Sequence, residues 1–166
     1  MASSLKNLSV HDASKVPSAK KMRFGIVVSE WNEEITEALA DGCMHALLEH
    51  GTLAKNIVKS YVPGSFELTL GAQWMAENKD IDAVICLGCV IQGETRHFDF
   101  ICDAVANGIT AVSMKYNKPV IFGVLTPNTQ KQAYERSGGK HGNKGVEAAI
   151  TAIKMVEMMR TKKVDN

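Results

Sequence analysis

The sequence predicts an α/β protein, a three-layer α/β/α sandwich around a four-stranded parallel sheet. Short, dense apolar runs alternate strictly along the chain with longer stretches in which apolar residues recur at helical spacing. Neither an internal repeat nor a linker divides this pattern into two domains. Strands that alternate with helices are joined by right-handed crossovers, which makes the sheet parallel and covers both of its faces.

Two strand–helix units are expected in the first half of the chain. The first strand runs from Arg23 to Ser29, and its dense apolar run is typical of a strand buried on both faces. Asn32 can cap the following helix, which ends near Gly51. The second strand runs from Asn56 to Val62, and Ser65 can cap the helix after it. The apolar faces of these helices are Ile35, Leu39, Cys43, Ala46 and Leu47, and then Leu68, Ala72 and Met75.

Two further units complete the predicted sheet. The third strand is the apolar run from Ala83 to Ile91, and a long helix follows it. The fourth strand is expected from Val120 to Leu125. After it come a short helix near 130–135, a flexible segment at 137–142 and a last helix toward Arg160. The faces expected to be buried are Ile101, Val105, Gly108, Ile109 and Val112 in the long helix, and Val146, Ala149, Ile150 and Ile153 in the last.

Charge and hydropathy exclude several classes of protein. The 19 Lys and Arg residues nearly cancel the 18 Asp and Glu residues, so no broad basic field is present to hold nucleic acid or anionic lipid. No stretch approaches the length of a membrane span, and residues 1–21 lack the apolar core of a secretory signal. We therefore expect a cytoplasmic protein with a polar N-terminal arm at 1–21, a single α/β domain at 22–160 and a C-terminal tail at 161–166.

The cysteines are better explained as core residues than as a chemical centre. Cys86 and Cys89 form a C-x-x-C pair, but residues three apart in a strand point to opposite faces, and no second pair completes a zinc site. Small buried thiols are typical of a protein in a reducing compartment. We expect neither a metal nor a redox site.

Polar and aromatic residues follow every predicted strand. The segments concerned are 29–32, 63–67, 93–97 and 126–128. Because the carboxyl ends of parallel strands meet at one edge of the sheet, we expect a ligand site there. The basic, Gly-rich segment 136–145 is either a solvated patch or a phosphate site. No triphosphate or dinucleotide motif is present.

Several of these residues have a structural and a functional interpretation. Trp31 alone is more often a core residue, but beside a Gly-Ser turn it can supply a stacking surface for a flat heteroaromatic ligand. Phe66 and Phe122 fit a core and a site equally well. His97 either flanks a helix or transfers protons. The second interpretation is supported by Thr95 and Arg96, which directly precede it and can contact an anion.

Five blocks of sequence, in order along the chain, form a recognisable pattern: Trp31-Asn32, 62–67, 88–99, 119–123 and 135–145. Together they resemble the 6,7-dimethyl-8-ribityllumazine synthases of riboflavin biosynthesis. The resemblance implies a flavodoxin-like fold. It also implies the penultimate step of that pathway, in which 5-amino-6-(D-ribitylamino)uracil and 3,4-dihydroxy-2-butanone 4-phosphate condense to 6,7-dimethyl-8-ribityllumazine, phosphate and water. No cofactor and no metal is implied.

The resemblance assigns roles to individual positions. His97 falls on the residue that transfers protons. The positions implied to contact the substrates from the same subunit are Trp31, Ser65, Phe66, Glu67, Cys89, Val90 and Ile91 on the pyrimidine and ribityl side, and Glu94 and Thr95 on the phosphate side. A neighbouring subunit is implied to supply Phe122 over the pyrimidine and Arg136 to the phosphate, and Lys144 matches a nearby basic position. Cys89 stands where other members often have another small residue, which indicates that its main chain matters more than its sulfur.

The implied assembly is a homopentamer with active sites between adjacent subunits, and family members also form sixty-subunit icosahedral shells. The short loop at 138–145 favours the shell. Riboflavin synthase is a candidate partner. The alternatives are a non-catalytic flavin-binding module, a riboflavin synthase that dismutates two lumazines, and a purely structural shell protein.

Overall fold

Four strands form one parallel sheet in the computed structural model, which describes Asn7 and residues 9–164. They are β1 (Phe24–Ser29), β2 (Ile57–Val62), β3 (Ala83–Cys89) and β4 (Val120–Leu125). Their order is β2-β1-β3-β4 and every pairing is parallel, which confirms the predicted sheet and matches flavodoxin-like folds. Positions 1–6 and 8 of the predicted arm and 165–166 of the predicted tail lie outside the described residues.

Helices cover both faces of the sheet. They are α1 (Glu33–Glu49), α2 (Leu68–Glu77), α3 (His97–Tyr116), α4 (Gln130–Arg136) and α5 (Lys144–Val164). Short 3-10 turns lie at Ala13–Lys15, Ala54–Asn56 and Ser65–Glu67. Helices α1 and α5 pack on one face and α2 and α3 on the other, so the three-layer α/β/α architecture is confirmed. Among the described residues, none of the helices has the length and apolar character needed to cross a membrane.

Each face of the sheet has its own apolar core. Phe24 and Ile26 of β1 face α1 and α5, whereas Val27 faces α2 and α3. Neighbouring residues of a strand point to opposite faces, which explains why β1 and β3 are buried along their whole length. Cys86 and Cys89 accordingly lie in opposite cores.

Two predicted helix caps are wrong. Asn32 lies just before α1, but its left-handed conformation (φ 64°) turns its side chain away from the first helical amides, and its Nδ2 donates to the Cys89 carbonyl at 2.9 Å. Ser65 begins a 3-10 turn ahead of α2, and its buried hydroxyl lies 3.5 Å from that of Ser29. Both side chains therefore contact neighbouring strand ends and leave the helix amides uncapped.

The segment 137–142, predicted to be flexible, is part of an antiparallel hairpin. Strands β5 (Ser137–Gly139) and β6 (Gly142–Asn143) pair with each other. The side-chain Nδ2 of Asn143 donates to the Ala38 carbonyl of α1 at 2.8 Å, and its Oδ1 accepts from the main chain of Gly145 at 2.7 Å. The prediction was wrong because the hairpin is held by α1, a contact distant in sequence.

Paired polar groups close the edge of the sheet at which the strands begin. The Nζ of Lys118 donates to two carbonyls at the end of α2, both at 2.8 Å. The carboxylate of Asp82 accepts from the Arg23 main chain at 2.8 Å and from the Arg160 guanidinium at 3.1 Å. These bonds join the end of α2, the starts of β1, β3 and β4, and α5, so this edge has little freedom to open.

The described part of the N-terminal arm packs against the domain. Ala19 is fully buried, and the Ser9 hydroxyl accepts from the main chain of Asn143 at 2.9 Å. The Nε2 atoms of His11 and His50 lie 3.1 Å apart at the end of α1. The arm is therefore tied to the β5–β6 hairpin at Ser9 and to the C-terminal end of α1 at His11 and Ala19.

Candidate active site at the strand ends

A cavity of about 670 Å³ opens outside the carboxyl ends of β1, β2 and β3. The chain passes from β1 to β2 in one direction across the sheet and from β3 to β4 in the other, and such a switch point is where ligands bind in open parallel sheets. The residues that line the cavity are Trp31, Asn32, Gly64, Ser65, Phe66, Glu67, Cys89, Val90, Ile91, Gly93, Thr95, His97, Phe98 and Ile101.

Two exposed aromatic side chains lie at the cavity. Trp31 is 73% exposed and Phe66 is 54% exposed, which excludes the core interpretation that either residue type would suggest. Hydrogen bonds hold the loop that carries Trp31. The amide of Glu30 donates to the Val62 carbonyl at 2.8 Å, and that of Trp31 to the Pro63 carbonyl at 3.1 Å. The indole is therefore exposed on a loop that is tied to the end of β2.

The end of β3 offers main chain to the cavity. The side chain of Cys89 lies in the core, and burial raises the pKa of its thiol to about 12, so the sulfur is neutral and unreactive near pH 7. The Cys89 carbonyl accepts from Asn32, and the Val90 amide donates to the Leu125 carbonyl at 2.8 Å. Within the described part of the chain, the Val90 carbonyl and the Ile91 amide have no hydrogen-bond partner and can serve a ligand.

His97 is the first residue of α3, and its side chain is exposed at the cavity. Its main chain donates to the Thr95 hydroxyl at 3.4 Å, while no hydrogen bond from another described residue reaches its imidazole. The neighbouring Arg96 pairs with Asp99 at 3.6 Å and stacks over Phe100 at 5.9 Å from the ring centre. A free imidazole therefore lies beside the N-terminus of a long helix, where partial positive charge favours an anion.

Four of the predicted site residues lie outside this cavity. Glu94 belongs to the same turn as Thr95 but does not line the cavity. Phe122 and Lys144 line a second cavity of about 430 Å³ beside β4, and the Nζ of Lys144 donates to Glu147 at 2.6 Å. Arg136 lines neither cavity and donates to a carbonyl of its own helix at 3.2 Å. The other predicted site residues all line the cavity at the strand ends: Trp31, Ser65, Phe66, Glu67, Cys89, Val90, Ile91, Thr95 and His97.

Sequence reasoning missed some lining residues. Asn32 was expected to cap a helix. Ile101 packs against the core, as expected, and in addition lines the cavity. A helical signal was available for Ile101, because it lies four residues after His97 and so shares a face with it. No local signal could have revealed the role of Asn32, whose partner Cys89 is 57 residues away.

Comparisons with known proteins give a consistent result. A family model described as 6,7-dimethyl-8-ribityllumazine synthase matches residues 21–160. A relative of that name from Cytophaga hutchinsonii is 63% identical over 156 residues, covering 94% of this chain and 98% of the relative. Others come from Parabacteroides distasonis (54% identical, 94% and 98% covered) and Flavobacterium johnsoniae (55% identical, 93% and 82% covered).

Proposed function

The chain belongs to the 6,7-dimethyl-8-ribityllumazine synthase family, and we propose that the reaction of this family takes place in the cavity at the strand ends. The protein is a transferase that condenses 5-amino-6-(D-ribitylamino)uracil with 3,4-dihydroxy-2-butanone 4-phosphate. The products are 6,7-dimethyl-8-ribityllumazine, phosphate and water, and the lumazine is the precursor of riboflavin. One observation carries the assignment to this cavity. An exposed indole, unpaired main chain and a free imidazole meet at the switch point of the sheet.

The pyrimidine substrate is expected to lie against Trp31. A flat heteroaromatic ring gains from stacking on an indole, and its polar edge can meet the Val90 carbonyl and the Ile91 amide. Ser65 and Glu67 line the same cavity and can bind the ribityl hydroxyl groups. This arrangement fixes the ring in a plane and leaves its amino groups facing the second substrate.

The phosphate substrate is expected near the N-terminus of α3. Thr95 and Gly93 line the cavity there, and the first amides of a helix attract an anion. Lys144 already pairs with Glu147, and Asn143 already occupies the Gly145 amide of α5. Because the start of α3 borders this cavity and the start of α5 does not, α3 is the better candidate for the phosphate, with the His97 amide shared with the Thr95 hydroxyl at 3.4 Å.

The chemistry needs little covalent help from the protein. The pyrimidine amine attacks the ketone, so the imine forms between the two substrates and no lysine is required as a nucleophile. His97 takes the proton that the attacking amine loses and returns it to the carbinolamine oxygen, which leaves as water. Loss of a carbon-bound proton next to the imine then expels phosphate, and attack of the ribitylamino nitrogen on the remaining carbonyl closes the second ring and releases a second water. Holding two reactants in register can supply up to about 7–11 kcal/mol, whereas one acid–base group contributes about 10²–10⁴-fold. Positioning should therefore dominate catalysis.

We propose that the site is completed by a second copy of the chain. Phe122, Arg136 and Lys144 lie away from the cavity of their own subunit, so they can reach a cavity only in another one. An apolar stripe on α2 and the turn before it supports such contact, since Trp74 is 63% exposed and lies in register with Leu70 and Phe66. A homopentamer with sites between adjacent subunits fits these surfaces. The tight β5–β6 hairpin is compatible with a sixty-subunit shell.

Location and partner are further proposals. The four cysteines are free, and three of them are buried, as suits a reducing cytoplasm. Riboflavin synthase consumes the product and is the candidate partner.

Incubation with both substrates, combined with light scattering, tests the proposed function. We expect the absorbance of the lumazine to appear and the particles to be pentamers or larger. A flavin-binding module or a structural shell would give no product, and a riboflavin synthase would instead consume lumazine supplied alone. Active monomers would contradict the shared site.

A further inference from the structure

Asn32 has an unusual backbone conformation for its place in the fold. It has φ 64° and ψ 45°, and Asn117 is the other non-glycine residue with positive φ among those the structure describes. Asn117 ends α3, where a left-handed residue is common. Asn32 precedes α1, where a residue normally has extended backbone and caps the helix with its side chain. Its conformation therefore serves something other than the helix.

The side chain of Asn32 crosses to the next strand. Its Nδ2 donates to the Cys89 carbonyl at 2.9 Å, at the end of β3. The two preceding amides, of Glu30 and Trp31, donate to carbonyls at the end of β2. The loop that carries Trp31 is thus tied to β2 by its main chain and to β3 by this one amide.

We infer that Asn32 is a positioning residue that sets the gap between the Trp31 ring and the strand-end main chain at 89–91. This inference rests on the proposed function, in which the pyrimidine enters that gap. The bond also occupies the Cys89 carbonyl, which leaves the Val90 carbonyl and the Ile91 amide as the groups that a ring edge meets. Asn32 therefore acts on pyrimidine binding through Trp31 and β3 and does not act on the reacting atoms.

Three substitutions separate the amide from the backbone shape. Asn32→Gly keeps the positive φ and removes the hydrogen bond. Asn32→Asp keeps the size and the tolerance of left-handed backbone, but places a carboxylate against the Cys89 carbonyl. Asn117→Gly is the matched control, because it makes the same change at the other left-handed asparagine, away from the cavity.

Steady-state kinetics with each substrate varied in turn provide the test. For Asn32→Gly we expect the KM of the pyrimidine to rise about three- to tenfold, the range of one neutral hydrogen bond, and a larger rise for Asn32→Asp. The kcat and the KM of the phosphate substrate should stay within about twofold, as should every constant of Asn117→Gly. Melting temperatures establish that each variant is folded.

Two results would overturn the inference. One is an Asn32→Gly enzyme with wild-type constants, and the other is an equal loss on both substrates, which indicates a general structural role. In both cases the wild-type protein still makes lumazine, so the proposed function stands. A wild-type protein that makes none would overturn the proposed function and the positioning role with it.

Discussion

The two edges of the parallel sheet differ in how their polar and aromatic side chains are paired. Where the strands begin, charged side chains are paired, as Lys118 is with carbonyls of α2 and Asp82 with Arg160. Where the strands end, Trp31 and Phe66 are exposed and the imidazole of His97 has no hydrogen bond from another described residue. The same strands thus supply a closed edge for stability and an open edge for binding.

Helix direction explains why a cation is paired at one edge and why the other edge can bind an anion. In a parallel sheet with crossover helices, helix C-termini lie where strands begin and helix N-termini lie where strands end. The C-terminal partial negative charge attracts the ammonium of Lys118, whereas the N-terminal partial positive charge of α3 remains available to a phosphate. Substitutions at the two edges should therefore have separable effects, on stability at one and on catalysis at the other.

The largest effect is expected at the open edge, on turnover. His97→Ala should lower kcat by about 10²–10⁴-fold, because the proton-transfer group is lost while substrate positioning is retained. The melting temperature should not change, since the side chain is exposed. Stopped-flow or steady-state absorbance measures the rate. Complete loss of activity in a folded, assembled protein would argue against catalysis by positioning.

The next effect is expected on binding of the phosphate substrate. Arg136→Ala should raise its KM by about tenfold or more, the usual value of a hydrogen bond to a charged group, with a smaller change for the pyrimidine. Lys131→Ala is the matched control, because it removes an exposed cation from the same helix. Equal KM values for Arg136→Ala and the control would count against a phosphate contact.

At the closed edge the effect should fall on stability alone. Lys118→Met leaves two carbonyls at the end of α2 without their donor and should lower the free energy of unfolding by about 1–2 kcal/mol. Lys79→Met, at an exposed position near the same edge, should cost much less. Urea denaturation measures both. A loss of kcat in Lys118→Met at unchanged stability would break the division between the edges.

The smallest effect is a pH dependence of stability at the closed edge. The Nδ1 of His11 lies 3.0 Å from the Ser9 carbonyl and so carries its proton, which makes the His11 Nε2 the acceptor from His50. Burial and the nearby His11 lower the pKa of His50 below its ordinary 6.5, although Glu49 opposes the shift. The unfolded chain then binds more protons, so stability is full above pH 6.5 and falls as the pH drops below it.

Melting curves between pH 5 and pH 7.5 measure this dependence. His50→Asn should flatten the curve, whereas His45→Asn, at an exposed position of the same helix, should leave it unchanged. A slope that persists in His50→Asn would assign the dependence to another group.

Local and distant contacts explain what the sequence could predict. The strands, their order of appearance and the candidate loops were predictable because a buried apolar run that ends in polar residues is a local signal. The side chain of Asn32 was not, since its partner lies 57 residues away on β3. The hairpin that includes 137–142 was also not predictable, because the contact of Asn143 with α1 spans 105 residues. Which predicted residues share one cavity likewise depends on packing between elements.

The placement of Cys86 and Cys89 in opposite cores has a consequence for the chemical durability of the protein. Side chains on opposite faces of a strand cannot meet in a disulfide, and both thiols have a pKa raised to about 12 by burial, so neither is a thiolate near pH 7. Air oxidation should leave this pair intact during purification without reductant. Half-buried Cys102 on α3 is then the position that a thiol-directed label reaches first.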